Sequence, residues 1–203
     1  MTWRVVYMGT AEIACPPLQA LAVMPQIELA AVYTQPDRPK GRGQSVQFSP
    51  VKKLALEMGE AVLQPESLKS SLAFNKLASL KPDVLVVMAY GQILSQQVLD
   101  LPPHGAVNLH ASLLPRHRGA SPIQQAILAG DTETGVTLMQ MEAGLDTGPM
   151  IAKASIPIGI EDTAATVHNQ LAQLSANLTV ESLPDYLSGN LSVTPQDLSL
   201  IHI

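Results

Sequence analysis

The sequence predicts an α/β domain: a mostly parallel sheet with helices on both faces and an antiparallel extension. Three observations carry this. Short apolar runs that read as strands alternate with helix-like segments from Arg4 to His110, the order that builds parallel sheets. One run, Val84–Ala89 (VLVVMA), is apolar almost throughout, as expected of a central parallel strand covered on both faces. Two further runs, Gly135–Met141 (GVTLMQM) and Met150–Ile156 (MIAKASI), are joined by the short segment EAGLDTGP, which suits an antiparallel pair.

Arg4–Met8 (RVVYM) reads as a short buried strand, with Gly9-Thr10 as the turn after it. Ile13–Met24 carries helical apolar spacing, with Pro16-Pro17 near its start, where proline is tolerated. Leu29–Thr34 (LAAVYT) is a second strand. Pro36–Pro50, rich in glycine, proline and basic residues, reads as a loop. Val51–Met58 is helical, Ala61–Leu63 is a third strand, and Ser67–Leu80 reads as a helix. Val84–Ala89 and Ala106–His110 follow as strands. Ser121–Ala129 is a helix with Pro122 in its first turn. Thr163–Leu187 is a long helical segment that Pro184 is expected to break. Right-handed crossovers then fix much of the topology.

The chain has 203 residues, 46% of them hydrophobic and 14% charged, enough for one substantial core and too apolar for disorder. No apolar run reaches the roughly 18 residues of a membrane span. The N-terminus passes straight into a strand pattern without a signal peptide. The single cysteine, Cys15, excludes an internal disulfide framework and fits a reducing cytoplasm. No His or Cys spacing suits a metal, so no metal is expected. The net charge of −5 argues against a general nucleic-acid coat. Yet five of the twelve Lys and Arg residues (Arg38, Lys40, Arg42, Lys52, Lys53) fall between positions 38 and 53, with no acid among them. That cluster is either a solvated loop or a local docking patch for an acidic partner.

Gly9-Thr10-Ala11 lacks the three glycines of a dinucleotide fingerprint, and no lysine follows Gly41-Arg42-Gly43 as a phosphate loop requires. No nucleophile elbow is present. Cys15, beside two prolines, reads as a small packed hydrophobe. The stretch AVNLHASLLPRHRG is more informative. Residues i and i+2 of a strand share a face, so Asn108 and His110 project side by side from a strand's C-terminal end. Ligands of open α/β sheets bind at that end. The pair is either a polar strand cap or a reactive site. Asp146, in the glycine-flanked turn GLDTGP, would meet His110 if that loop folds over the strand end. An amide donor can stabilise an oxyanion. An imidazole can move a proton near neutrality, and a carboxylate can orient it or hold a water. Together they suit acyl transfer from one nitrogen to another, with no covalent enzyme intermediate.

NLHASLLP, followed by RHRGASPIQQAILAGDTETGVTLMQMEAGLDTGPM, resembles the folate-dependent formyltransferases. Within that superfamily TQPDRPKGRG, SPVKKLALEMG and LQPESL are similar to the branch that formylates initiator methionyl-tRNA. The likeness runs from about residue 4 to about residue 197. It implies a Rossmann-like formyltransferase fold and the catalytic trio Asn108, His110 and Asp146. It also implies a folate-contacting segment of Ser112, Leu113, Leu114 and Pro115, and a pterin pocket lined by strand-end backbone at Met88, Ala89 and Tyr90. Arg38, Lys40 and Arg42 would enter the acceptor end of the tRNA. The implied donor is 10-formyltetrahydrofolate, the acceptor is initiator methionyl-tRNA, and the chain is expected to be a cytoplasmic monomer that uses neither metal nor membrane.

Some positions depart from that pattern. Gln44-Ser45-Val46 stand where further basic residues are usual, which weakens phosphate contacts. His117 replaces a common Trp or Tyr, and Glu12 a common Asp. The family's C-terminal β-barrel domain has no counterpart here. Residues 1–189 are therefore expected to be the catalytic domain, and 190–203 the start of a linker or a non-native tail. The closing LSLIHI is either a non-native end or a short final strand. Other readings stay open at this level. A relative could act on a nucleotide-linked amine, or a hydrolase could release formate from the same donor. A glycinamide formyltransferase would need a Gly/Ser/Asn-rich phosphate turn that Gly9-Thr10-Ala11 lacks. A folate- or tRNA-binding module without activity is the remaining alternative.

Overall fold

A computed structural model describes residues 2–40 and 45–199, except for the side chains of residues 39, 40, 45 and 46. The final residues of LSLIHI and the Gly41-Arg42-Gly43 turn, with Arg42, lie outside the described residues.

The main sheet is built from β1 (Trp3–Gly9), β2 (Ile27–Tyr33), β5 (Val62–Leu63), β6 (Val84–Met88), β7 (Ala106–His110), β8 (Glu133–Gln140) and β9 (Met150–Pro157). Its order is β5-β2-β1-β6-β7-β8-β9. The first five strands in that order run parallel, and β8 and β9 pair antiparallel at one edge. The predicted fold class is the observed one. From β1 the order steps outward through β2 to β5, then turns back to β6 and β7 on the other side. That reversal leaves a crevice beyond the C-terminal ends of β1 and β6, where ligands of open α/β sheets bind.

The helices are α1 (Cys15–Val23), α2 (Pro50–Glu57), α3 (Ser71–Ser79), α4 (Gln96–Leu99), α5 (Pro122–Leu128) and α6 (Ala164–Leu187). They cover the sheet from both sides. One core gathers Val5, Leu18, Val86, Val107, Leu138 and Leu171 beneath α1, α5 and α6. The other gathers Val6, Leu77, Leu85 and Val98 beneath α3 and α4. All five residues of β6 are buried, as its unbroken apolar run requires.

Several boundaries differ from the sequence reading, each for a local reason. The expected 36–50 loop contains a two-stranded hairpin, β3 (Arg38–Lys40) with β4 (Ser45–Gln47). Helix α3 starts at Ser71 rather than Ser67, because the Ser70 hydroxyl accepts from Ala73 N and caps it. The short α4 carries too few residues for a periodic signal. Pro184 does not break α6, which runs on to Leu187. The proline falls in the last turn, where it deletes one backbone bond. Leu183 and Leu187, both buried, hold the turn to the core.

Gly9 is required for close approach. A Cβ there would stand 2.9 Å from Ala14 Cβ and 2.9 Å from the Tyr7 ring. The next residue ties strand ends together. Thr10 Oγ1 donates to Tyr90 O (2.7 Å) and accepts from Gln35 N (3.2 Å). The first turn thus fastens β1 to the segments after β2 and β6.

Candidate functional site

A cavity of about 700 Å³ opens at the C-terminal ends of β6 and β7, within the range of small-molecule sites. Its walls include Met88, Ala89 and Tyr90 after β6, Asn108 and His110 of β7, and Asp146 of the loop between β8 and β9. Ile13, Leu94 and Met141 add apolar surface. The strand periodicity puts Asn108 and His110 on one face, and the 143–149 loop folds over them. Asn108 Nδ2 donates to Asp146 Oδ1 at 3.4 Å, and His110 Nδ1 lies 3.5 Å from Asp146 Oδ2. The three predicted residues are therefore assembled, although 38 positions separate Asn108 from Asp146.

The sequence of the loop explains its shape. Asp146 adopts a left-handed backbone (φ +50°), which aspartate tolerates better than most residues. A Cβ on Gly148 would fall 2.0 Å from Gln140 O, so the chain can pass there only as glycine. Gly119 N donates to Asp146 Oδ2 at 3.0 Å and ties the carboxylate to the segment before α5.

His110 is nearly enclosed, with 6% exposure. Its Nε2 lies 3.0 Å from His117 O. A carbonyl only accepts, so Nε2 carries the hydrogen of that bond. Nδ1 is then the nitrogen that faces Asp146. The 3.4 and 3.5 Å contacts are long for hydrogen bonds.

His117, at φ +54°, is held by a second aspartate. Its Nε2 lies 2.6 Å from Asp131 Oδ2, and the Arg116 guanidinium grips the same carboxylate, Nε to Oδ2 at 2.9 Å and Nη2 to Oδ1. Arg116 above all pulls the Asp131 carboxyl down to about 2; burial opposes it, and His117 adds a smaller pull in the same direction as Arg116.

The other predicted residues occupy different places. Ser112 and Leu114 are fully buried, and neither they nor Leu113 and Pro115 are among the cavity-lining residues. The segment lies behind the wall. Ser112 Oγ donates to Arg116 O (2.6 Å), Thr137 Oγ1 donates to Ser112 O (2.7 Å), and Lys153 Nζ donates to Leu114 O. Arg38 is exposed on β3 and is not among the lining residues, and the side chain of Lys40 and all of Arg42 lie outside the described residues. The basic cluster is less positive than its composition suggests. Lys52 pairs with Asp37, just before the cluster, and its ammonium sits 3.9 Å over the Phe48 ring.

Burial, with Glu12 adding, pushes the Cys15 thiol up to about 11, which keeps it a neutral packed group. Burial, with Tyr33 adding, likewise raises the Tyr90 phenol on the cavity wall. Among the described residues no group of three or more His, Cys, Asp and Glu side chains could hold a metal, and no helix is long and apolar enough to cross a membrane. Sequence reasoning missed His117 O, Gly119 N and Thr137. Each acts through a backbone atom or a single hydroxyl, for which residue type gives no signal.

Comparison with known proteins places the chain among similar ones. A family model described as "Formyl transferase" matches residues 4–183. The chain is 53% identical over 197 residues to a methionyl-tRNA formyltransferase of Pseudomonas fluorescens, covering 97% of this chain and 61% of that protein. It is 55% identical over 194 residues to the enzyme of the same name from Ectopseudomonas mendocina, covering 96% of the chain and 62% of the relative. It thus spans about three fifths of the length of the curated relatives it matches. Among solved structures, glycinamide ribonucleotide transformylase 1 from Symbiobacterium toebii superposes with a TM-score of 0.78 at 21% identity, covering 97% of this chain and 95% of that one. The sugar 3N-formyl transferase WlaRD, crystallised with dTDP and 5-N-formyl-THF, gives 0.72 at 19% identity, covering all of this chain and 70% of that one. At such identities the two structures bear on the fold.

Proposed function

The chain belongs to the formyl transferase family, and from that premise we propose that it transfers a formyl group from 10-formyltetrahydrofolate to the α-amine of initiator methionyl-tRNA. The observation that carries the reading is the convergence of Asn108, His110 and Asp146 on the wall of a mostly apolar cavity. The donor supplies an activated formyl group on nitrogen. As the amine nitrogen bonds to the formyl carbon, the carbonyl π pair moves to oxygen. When the C–N bond to the donor breaks, the pair returns and the departing nitrogen takes up a proton equivalent to the one the amine releases. The chain must therefore stabilise an oxyanion and manage one proton.

Asn108 Nδ2 and, in the protonated imidazole, Nδ1–H of His110 supply donors for the oxyanion. Asp146 stands beside both and, with His110, holds the proton between its release and its uptake. Met88, Ala89 and Tyr90 line the pocket proposed for the pterin. Ser112 to Pro115 support it from behind, so their proposed folate contact is a matter of shaping the wall. Arg38, Lys40 and Arg42 are the proposed tRNA contacts. The proposed catalytic unit spans residues 1–189, followed by a stretch leading toward the additional length that the relatives have.

The test is formyl transfer from 10-formyltetrahydrofolate to methionyl initiator tRNA, with formate release followed in the same tube. Formyl-methionine that falls on the order of a hundredfold with His110→Ala is the expected result. Formate without formyl-methionine would assign a hydrolase or another acceptor. Neither product, with folate still bound, would leave a binding module.

A further inference from the structure

Beyond the end of α6 the chain doubles back onto the site. Gly189 (φ +74°) turns it, and Thr194 then forms a two-bond antiparallel bridge with Met150, Met150 N to Thr194 O and Thr194 N to Met150 O, each 2.8 Å. This bridge lies next to the loop that carries Asp146. Two residues later Gln196 is almost wholly buried, 9% exposed. Its Nε2 donates to Asp146 O at 2.8 Å and to Gly148 O at 2.7 Å. Both partners are carbonyls, which only accept, so the orientation of the amide is fixed by chemistry. Its Oε1 is buried without a partner among the described residues, an arrangement that persists only if the two donations outweigh that loss.

The two carbonyls bracket the strained part of the loop. Asp146 is left-handed, and Gly148 is pressed against Gln140 O. A non-glycine residue in such a conformation persists only where its surroundings over-determine it. The side-chain contacts of Asp146, at 3.0 Å from Gly119 N, 3.4 Å from Asn108 and 3.5 Å from His110, all end on the carboxylate and leave the backbone free to turn. The backbone must be held from elsewhere, and Gln196 holds it on both sides.

We infer that Gln196 is a positioning residue, a clamp from the segment after α6 that sets where the Asp146 carboxylate stands relative to His110 and Asn108. What the clamp is for rests on the formyl-transfer reading above; that it exists does not. The stretch after residue 189, expected as a linker or tail, then supplies part of the site's support.

The test reads the carboxylate directly and needs no substrate. Gly119 N donates to Asp146 Oδ2, so the Gly119 amide proton reports by its NMR shift and its exchange whether the carboxylate is in place. Gln196→Met keeps the side-chain length and removes the donor; Gln196→Glu keeps the shape and faces the two carbonyls with oxygens alone. In both, the Gly119 amide is expected to move upfield and lose protection, while the amides of Val86 and Val107 in the central strands keep theirs. Turnover, where the parent transfers formyl, falls on the order of a hundredfold with little change in KM for the donor, the scale of a displacement of about 1 Å at a reacting group. An unchanged Gly119 amide in Gln196→Met overturns the clamp. Should neither variant fold, the parent decides: side-chain amide protons of Gln196 that exchange as fast as those of an exposed glutamine also overturn it. Failure of the formyl-transfer reading leaves the Gly119 result standing, so the two outcomes are separable.

Discussion

His117 and His110 each face an aspartate, at very different distances. His117 Nε2 lies 2.6 Å from Asp131, and both oxygens of that carboxylate are also gripped by Arg116. His110 Nδ1 stands 3.5 Å from Asp146, whose other contacts are an amide at 3.4 Å and the Gly119 N–H at 3.0 Å. The first pair is short, doubly held and absent from the cavity wall. It fastens the segment whose His117 carbonyl holds His110 Nε2. The second is loose, borders the cavity and keeps hydrogen-bonding capacity for a reacting group. One imidazole–carboxylate pair builds the frame, and the other is proposed to do the chemistry within it.

The widest separation between the two pairs is expected from Asp146→Asn. It keeps size and removes charge, and turnover should fall on the order of a hundredfold, comparable with the loss of an oxyanion donor. The melting temperature should shift by less than about 2 °C, because the contacts to Asn108 and His110 are long and the amide oxygen of asparagine can still accept from Gly119 N. A scan showing a large drop in melting temperature, with activity retained in what stays folded, would make Asp146 structural and erase the contrast.

Asp131→Ala should do the reverse. It leaves His117 and Arg116 without their shared acceptor, a loss of about 1–3 kcal/mol, or roughly 3–10 °C in a chain of this size. Turnover should fall by no more than about tenfold, since the effect reaches His110 only through the His117 carbonyl. Equal losses of turnover in the two variants would mean that both pairs serve the reaction.

Which pair is which was partly legible in the sequence. Strand parity set Asn108 and His110 on one face, and the glycine-flanked turn singled out Asp146, because short-range geometry and residue chemistry agree there. The alternation of strands and helices likewise predicted the sheet. His117–Asp131 was not legible. Its partners lie 14 residues apart, in the loops before and after α5, where no periodicity relates one side chain to the other. Gln196 reaches Asp146 across 50 residues, and a lone glutamine carries no local pattern. The Ser112–Pro115 segment reads as loop by composition, yet Thr137 and Lys153 on β8 and β9 draw it behind the cavity wall. The 38–47 hairpin was hidden by the glycines, prolines and charges that mark loops in general. Local rules reach elements and strand ends; contacts supplied by distant polar side chains fall outside them.

The smallest expected effect is a pH dependence that belongs to Asp131. Its carboxyl sits at about 2 in the folded chain, chiefly through Arg116 and then His117, against an ordinary value of 3.8. The folded value lies below the unfolded one, so the stability it contributes is complete above about pH 4 and is lost as the pH falls through about 2. Asp131→Asn removes that contribution at every pH. Melting temperatures of parent and variant, measured side by side from pH 6 to pH 2.5, should therefore be furthest apart near neutrality and converge below about pH 4. Subtracting the variant cancels the other carboxylates, including Asp37 beside Lys52, whose carboxyl is also held low. A gap that stays constant down to pH 2.5 would mean that Asp131 is held by shape and hydrogen bonds rather than by charge, and the frame would then owe nothing to the Arg116 ion pair.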